Sequence, residues 1–379
     1  MTEKKRILLV FSTAGMGHKK AALALEGVMK GMPERCEVKT VDIMEYANRF
    51  YRFLYLDLYV FMMKKATWLW AIMFYVSDLR LFDVLTRRLR AKMDHSGVPG
   101  FGEFLLKESP DVVIATHFLV PSIAGILKRT GLKSKLAAVV TDYGPHSYWL
   151  SAGIDMYFAG SDRVRTELER KGIRPGKTFV TGIPTTEEFH RKHDEDVIRK
   201  RYGLEETRKT IFIMSGGFGV GPVGKMLEEM MSCASRIQII AVSGHNKELY
   251  GQLERISASL NYPVKLFGFT DKVAELMAVS DLMITKAGGI SVTEAMDSAL
   301  PMILYGSIPG QETWNERFLQ ENGAARIAAS IKQIPRIADE MLHDPAVYET
   351  FKRGLGKICK PHAAEDITNA VMKDAGGEK

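Results

Sequence analysis

The side chains best placed for chemistry lie in residues 284–315, ITKAGGISVTEAMDSALPMILYGSIPGQETWN. A short apolar run ends at Thr285, the chain turns through Lys286, Ala287, Gly288 and Gly289, and a helix follows for which Ser291 is the expected N-cap. A strand, a glycine turn and a helix start make an anion seat, because the first N–H groups of a helix lack intrahelical partners and its dipole adds partial positive charge there. Such a seat takes a diphosphate without a dedicated cation. Glu294 has two readings. Ser291-x-x-Glu294 has the spacing of a capping box, in which the carboxylate reaches back to the Ser291 N–H; the same carboxylate can instead grip a ribose. Beyond a second apolar run, a polar loop carries Gln311, Glu312 and Asn315, whose amide and carboxylate groups suit sugar hydroxyls.

His18 is the second candidate. Residues 7–11 read as a buried strand, STAGMGH as a turn with Gly15 and Gly17, and residues 19–32 as an alanine-rich helix. A histidine at a helix mouth is disfavoured as a cation, so it should be neutral near pH 7 and able to take a proton; the alternative is a polar residue capping the helix. The turn is not a dinucleotide fingerprint, since Lys20 stands where close packing wants Gly or Ala. Asp142, His146 and Trp149 follow a predicted strand at 136–141, and either line a pocket beside the His18 turn or belong to an ordinary loop. A strand from residue 210 runs into another glycine turn, SGGFGVG, containing Gly216 and Gly217. The strand 264–267 leads into Gly268, Phe269 and Thr270, placed to stack an aromatic ring on a base while backbone groups bond its edge.

Interleaved strands and helices must position these turns, which makes the chain α/β with doubly wound sheets. At 379 residues it is long for one core and comfortable for two domains. The charged segment 187–207, with His190, His193 and Asp194-Glu195-Asp196, marks the expected boundary. The division is then 1–188, 189–360 and a last helix within 361–379 that crosses back to the first domain. Asp194-x-Asp196 has the outline of a metal-holding pair, but no strand precedes it, so it reads as a linker or helix start.

Composition narrows the class further. With 46% hydrophobic and 26% charged residues the chain is neither disordered nor fibrous. Its net charge of +7 is concentrated early: residues 1–190 hold 28 Lys+Arg against 20 Asp+Glu, and the remainder is nearly balanced. Three scattered cysteines suggest neither a disulfide framework nor a zinc knuckle, and a reducing cytosol fits. The start MTEKKRILLVF is unlike a signal peptide, and no uncharged run approaches the roughly 18–20 residues that span a bilayer. Residues 50–94 hold ten aromatics between Phe50 and Tyr75, and then Arg87, Arg88, Arg90 and Lys92. That mixture settles at an anionic membrane surface, although a helical core with a solvated basic face has the same composition. No P-loop, G-x-S-x-G or H-E-x-x-H occurs, and no nucleic-acid-binding module is recognisable, so nucleic acid is not an expected partner.

Taken in order, VFSTAGMGHKKAALAL, VVTDYGPHSYW, MSGGFGVGP and FGFTDKVAELMAVSDLMITKAGGISVTEAMDSALPMILYGSIPGQE resemble the monogalactosyldiacylglycerol synthase and processive diacylglycerol glucosyltransferase family. That family is related to the peptidoglycan transferase MurG. The resemblance implies two Rossmann-like doubly wound domains facing across a cleft, the GT-B arrangement. It also implies inverting transfer of glucose or galactose from a UDP-sugar to a diacylglycerol-type lipid, with no cofactor and no metal, by a peripheral protein on the cytoplasmic face of the membrane. By position, His18 and Asp142 are then the catalytic pair, with Gly15, Gly17, His146 and Trp149 on the acceptor side. Phe269 and Thr270 resemble the uracil contacts, Glu294 the ribose ligand, and Gly288, Gly289, Ile290 and Ser291 the diphosphate seat. Gly216, Gly217, Lys286, Gln311, Glu312 and Asn315 complete the UDP-sugar side. The plant members read G-P-G-T where this chain has Gly288-Gly289-Ile290-Ser291, so galactose is not favoured over glucose. Alternatives on the same fold are a MurG-like UDP-GlcNAc transferase and a UDP-sugar 2-epimerase; from another class, a non-catalytic membrane-bound nucleotide-sugar sensor.

Overall fold

The structure is a computed structural model and describes residues 4–13, 15–214, 216 and 221–375. The chain divides into two compact units, residues 1–186 with 309–311 and 360–379, and residues 187–308 with 312–359.

The first unit is built on six parallel strands, β1 (Lys5–Phe11), β2 (Cys36–Asp42), β3 (Val112–Ala115), β4 (Lys135–Val139), β5 (Met156–Ala159) and β6 (Thr178–Val180), in the spatial order β2-β1-β3-β4-β5-β6. Alternation along each strand sorts the core into two layers. Ile7, Leu9, Ile114 and Val139 pack with Leu25 and Met29 of the helix Met16–Lys30 and with Ile367 and Val371 of the helix Ala363–Ala375. On the other face Leu8, Val10, Val113 and Ala138 pack with Phe101 and Leu105 of the helix Pro99–Glu108 and with Ile123 and Leu127 of the helix Leu119–Arg129. Strand order reverses between β1 and β3, so the carboxyl ends of these two strands flank the switch point where open α/β sheets bind ligands. β2 was not foreseen: as an edge strand it buries only Cys36, Val41 and Asp42 fully, and its charged residues hide the alternation.

Between β2 and β3 the chain makes a helical excursion that includes Leu58–Lys65, Thr67–Asp78 and Arg80–Gly97. Two acids, Asp94 buried and Asp78 half-buried, tie it to the rest of the unit. Asp94 accepts from Tyr51 Oη at 2.7 Å, from Tyr55 Oη at 3.3 Å and from the Ser122 hydroxyl. Asp78 accepts from the Ser147 N–H at 2.7 Å and pairs with Lys171. No described helix is long and apolar enough to cross a membrane.

The second unit repeats the plan with β7 (Lys209–Met214), β8 (Ile237–Val242), β9 (Val264–Phe267), β10 (Leu282–Thr285), β11 (Met302–Leu304) and β12 (Ala325–Ile327), ordered β12-β11-β10-β7-β8-β9 and all parallel. Its reversal falls between β10 and β7, and the glycine turns leaving those two strands border it. Asp194 is the N-cap of the helix Glu195–Tyr202, accepting from the Val197 N–H at 3.1 Å. The acidic pair there is therefore a helix start.

Candidate active site

At the switch point of the first unit the chain leaves β1 through the glycine turn, and the helix begins at Met16 with Gly15 as N-cap, three residues earlier than the alanine pattern indicated. His18 therefore stands in the first helical turn. Its Nδ1 lies 2.6 Å from the Thr116 carbonyl oxygen, just past β3, and 3.1 Å from the Thr141 hydroxyl, just past β4. A carbonyl only accepts, so Nδ1 carries the proton and Nε2 carries the lone pair. The clasp is reciprocal, because the Thr116 hydroxyl donates to the His18 carbonyl at 2.8 Å. Burial lowers the His18 pKa to about 4, opposed by the hydrogen bond to Thr116. The ring is neutral, as its place at a helix mouth implied, but desolvation is the larger cause. Gly15 leaves room for it: a Cβ there would meet His18 Cδ2 at 3.0 Å. Gly17 occupies the second helical position.

Asp142 is half-buried, one residue beyond the Thr141 contact. His146 and Trp149 are both packed into the protein. His146 caps the short helix Ser147–Trp149 by accepting the Tyr148 N–H at Nδ1, and its Nε2 lies 3.1 Å from the Phe74 carbonyl, so it bridges the loop to the helix Thr67–Asp78. Burial lowers its pKa to about 4, against the nearby Asp78 carboxylate and the Phe74 hydrogen bond. Trp149 is 4% exposed and belongs to the core beneath the sheet. Both hold the wall in place, and neither presents a free face to a ligand.

In the second unit the helix Gly289–Asp297 is capped by Gly288 in an extended conformation, with no side-chain cap. Ser291 is thus its third residue, which removes the capping box. Glu294 lies in the helix interior, 2% exposed, and cannot owe its place to the Ser291 N–H. Ile290 is apolar and 5% exposed, so what it offers an anion is its backbone N–H, beside those of Gly289 and Ser291. Gln311, Glu312 and Asn315 are not on a loop; they occupy the first turns of the helix Gln311–Glu321. Two of them brace the glycine turn and the loop beside it. Asn315, fully buried, donates from Nδ2 to the Ala287 carbonyl at 2.8 Å, while Glu312 accepts the Ile308 N–H at 2.6 Å and lies 3.6 Å from Lys286 Nζ. The Ser307 hydroxyl takes the Ala287 N–H at 3.1 Å.

Gly216, at the end of β7, has φ +72°, a conformation that favours glycine. Gly217 lies outside the described residues. Phe269 stands 59% exposed on the loop after β9, and the ring of His245, on the loop after β8, is stacked on it at 4.1 Å and 15°. The Thr270 hydroxyl accepts the Lys272 N–H at 3.1 Å. From β10 through β7 and β8 to β9 is three inter-strand spacings, about 14 Å. That separation between anion seat and aromatic platform suits the two ends of a nucleoside diphosphate.

Sequence reasoning passed over Thr116, His117, Thr141 and His245. The first three lie just past the buried strands β3 and β4, and their polar types at carboxyl ends of a parallel sheet were the available signal. Only topology shows that these ends meet at His18.

Two family profiles match in succession: Monogalactosyldiacylglycerol (MGDG) synthase over residues 18–185 and the glycosyltransferase family 28 C-terminal domain over residues 210–342. A processive diacylglycerol beta-glucosyltransferase of Bacillus thuringiensis (strain Al Hakam) is 30% identical over 301 residues, 78% of this chain and 77% of that protein. The chain belongs to this family. Its relative of the same name in Bacillus subtilis (strain 168) is 27% identical over 381 residues, covering 99% of this chain and 97% of the other. Among solved structures, MurG of Acinetobacter baumannii superposes with a TM-score of 0.63 over 98% of this chain and all of its own, at 14% identity. At that identity the likeness speaks for the two-domain GT-B fold alone.

The enclosure of His18 is open to titration. The folded state holds a proton on this ring less readily than the unfolded chain, so its share of stability is present above about pH 6.5 and is lost as pH falls toward 4. By NMR the His18 imidazole should stay neutral down to about pH 5, and the melting temperature should drop over the same acid range. Protonation of His18 near pH 6.5 would contradict the enclosure.

Proposed function

We propose that this family member transfers a hexose, glucose or galactose, from a UDP-sugar to the hydroxyl of diacylglycerol or a related lipid, with inversion and without a metal. The observation that carries the reading is the His18 imidazole, locked as the Nδ1–H tautomer by Thr116 with an Nε2 lone pair that has no partner among the described residues. A sensor that only binds nucleotide-sugar has no use for such a poised base. A MurG-like reading has support only from fold-level likeness at 14% identity, whereas the family relatives at 27–30% carry the diacylglycerol name.

In the proposed reaction the acceptor O–H gives its proton to His18 Nε2 while its oxygen attacks the anomeric carbon on the face opposite the diphosphate. The carbon–oxygen bond to the β-phosphate breaks, and its electron pair leaves with UDP. The N–H groups of Gly289, Ile290 and Ser291 and the Lys286 ammonium meet the growing charge on the diphosphate. Glu294 binds the ribose, Phe269 with Thr270 the uracil, Gly216 and Gly217 border the phosphates, and Gln311 with Glu312 contacts the hexose. Asn315 serves the same side by holding the Ala287 turn. Asp142 is the second polar group of the acceptor side.

The helical excursion is proposed to dock on the cytoplasmic face of an anionic membrane. Phe50, Trp68, Leu81, Val84, Leu85 and Leu89 are each 61% to 73% exposed, more apolar surface than a solvated face needs. Fewer cations are free than the sequence implied. Arg87 and Arg90 both pair with Asp83, itself 2% exposed, and Arg90 lies 4.0 Å over the Tyr148 ring. Arg88 and Lys92 remain exposed to meet lipid phosphates.

His18→Ala should lower turnover at least about 100-fold while UDP affinity stays near wild type, and excess EDTA should leave wild-type turnover unchanged. Near-normal turnover in the variant removes His18 as the base. For the membrane, Leu81→Ser with Leu85→Ser should abolish flotation with phosphatidylglycerol-containing vesicles without lowering the melting temperature; flotation equal to wild type would refute the docking face.

A further inference from the structure

We infer that His117 is a second acceptor-side residue, donating a hydrogen bond from Nε2–H to an oxygen of the acceptor's polar head. The inference rests on the glycosyl-transfer reading above and assigns a residue that reading does not use. His117 follows β3 directly and is 3% exposed. Its Nδ1 accepts the Leu119 N–H at 3.3 Å, at the start of the helix Leu119–Arg129. Burial, reinforced by the neighbouring His18, holds its pKa well below the ordinary value, so the ring is neutral. With Nδ1 accepting, the single proton sits on Nε2.

That proton has no acceptor among the described residues, and Nε2 is not among their sealed, unpartnered polar atoms, so the N–H is left open to a ligand oxygen. The ring cannot swing to find one. Phe118 lies against it at 4.2 Å and 31°, and His18 meets it edge to face at 4.7 Å and 88°. Two neutral imidazoles thus stand side by side with complementary atoms, a lone pair on His18 Nε2 and a proton on His117 Nε2. A hydroxyl-bearing head group satisfies both, giving its O–H to His18 and a lone pair of an oxygen to His117. No proton passes through His117; it binds and orients the acceptor.

Two substitutions separate this role from simple helix capping. His117→Asn keeps an acceptor at the Nδ1 position for the Leu119 N–H and loses the outer donor. His117→Gln keeps a donor near the Nε2 position and loses the cap. The inference predicts that in full-length protein His117→Asn raises KM for dispersed diacylglycerol about 10-fold, with UDP affinity and melting temperature unchanged, and that His117→Gln melts lower but keeps an acceptor KM within a few-fold of wild type. A capping role alone gives the reverse, wild-type KM in His117→Asn, and would overturn the inference while leaving the function intact. Wild-type protein that moves no hexose to any lipid would instead remove the function and this inference with it.

Discussion

Much of the first unit's chemistry depends on one contact, the hydrogen bond from His18 Nδ1 to the Thr116 carbonyl. It selects the tautomer, aims the lone pair, and with the return bond from the Thr116 hydroxyl it ties the first helix to the end of β3. A backbone carbonyl is a neutral partner, unlike the carboxylate that orients many catalytic histidines, so it fixes the ring while favouring the cation less than burial disfavours it. Desolvation then wins, and the ring rests neutral with a pKa near 4. An imidazole of that kind is unprotonated at neutral pH, the state that the proposed role of general base requires.

The second unit reaches electrostatic readiness by another route. Where the first uses a side chain held by backbone, the second uses backbone held by side chains: Asn315, Ser307 and Glu312 fasten residues 287 and 308 around the start of the Gly289 helix. Two hydrogen bonds on Ala287 and a third on the neighbouring loop at Ile308 fix where the N–H groups at the helix start point, the preorganisation that the proposed diphosphate seat needs.

The α/β class, the buried strands that lead into the site loops, the glycine turns and the family were legible in the sequence because buried parallel strands are continuous apolar runs bounded by glycine. What was not legible depended on the third dimension or on helix phase. The capping box at Ser291 and Glu294 had the right spacing, but the helix starts two residues before Ser291, and a shift of that size turns a cap into an interior position. His146 and Trp149 were chemically suitable and near in sequence, yet the structure commits the first to a bridge and the second to the core. His117 could not be singled out without seeing that β1 and β3 are neighbours. Charge counts along residues 80–94 overstated the cationic face, since a count cannot show that Asp83 takes two of the arginines.

The central claim is inverting transfer from a UDP-hexose to a lipid hydroxyl with His18 as the base. The most direct measurement is the anomeric configuration of the lipid product formed from α-linked UDP-glucose or UDP-galactose and diacylglycerol, read by NMR. The account predicts a β-glycosyl diacylglycerol. An α-linked lipid, an epimerised UDP-sugar, or hydrolysis to free hexose with no glycolipid would contradict it.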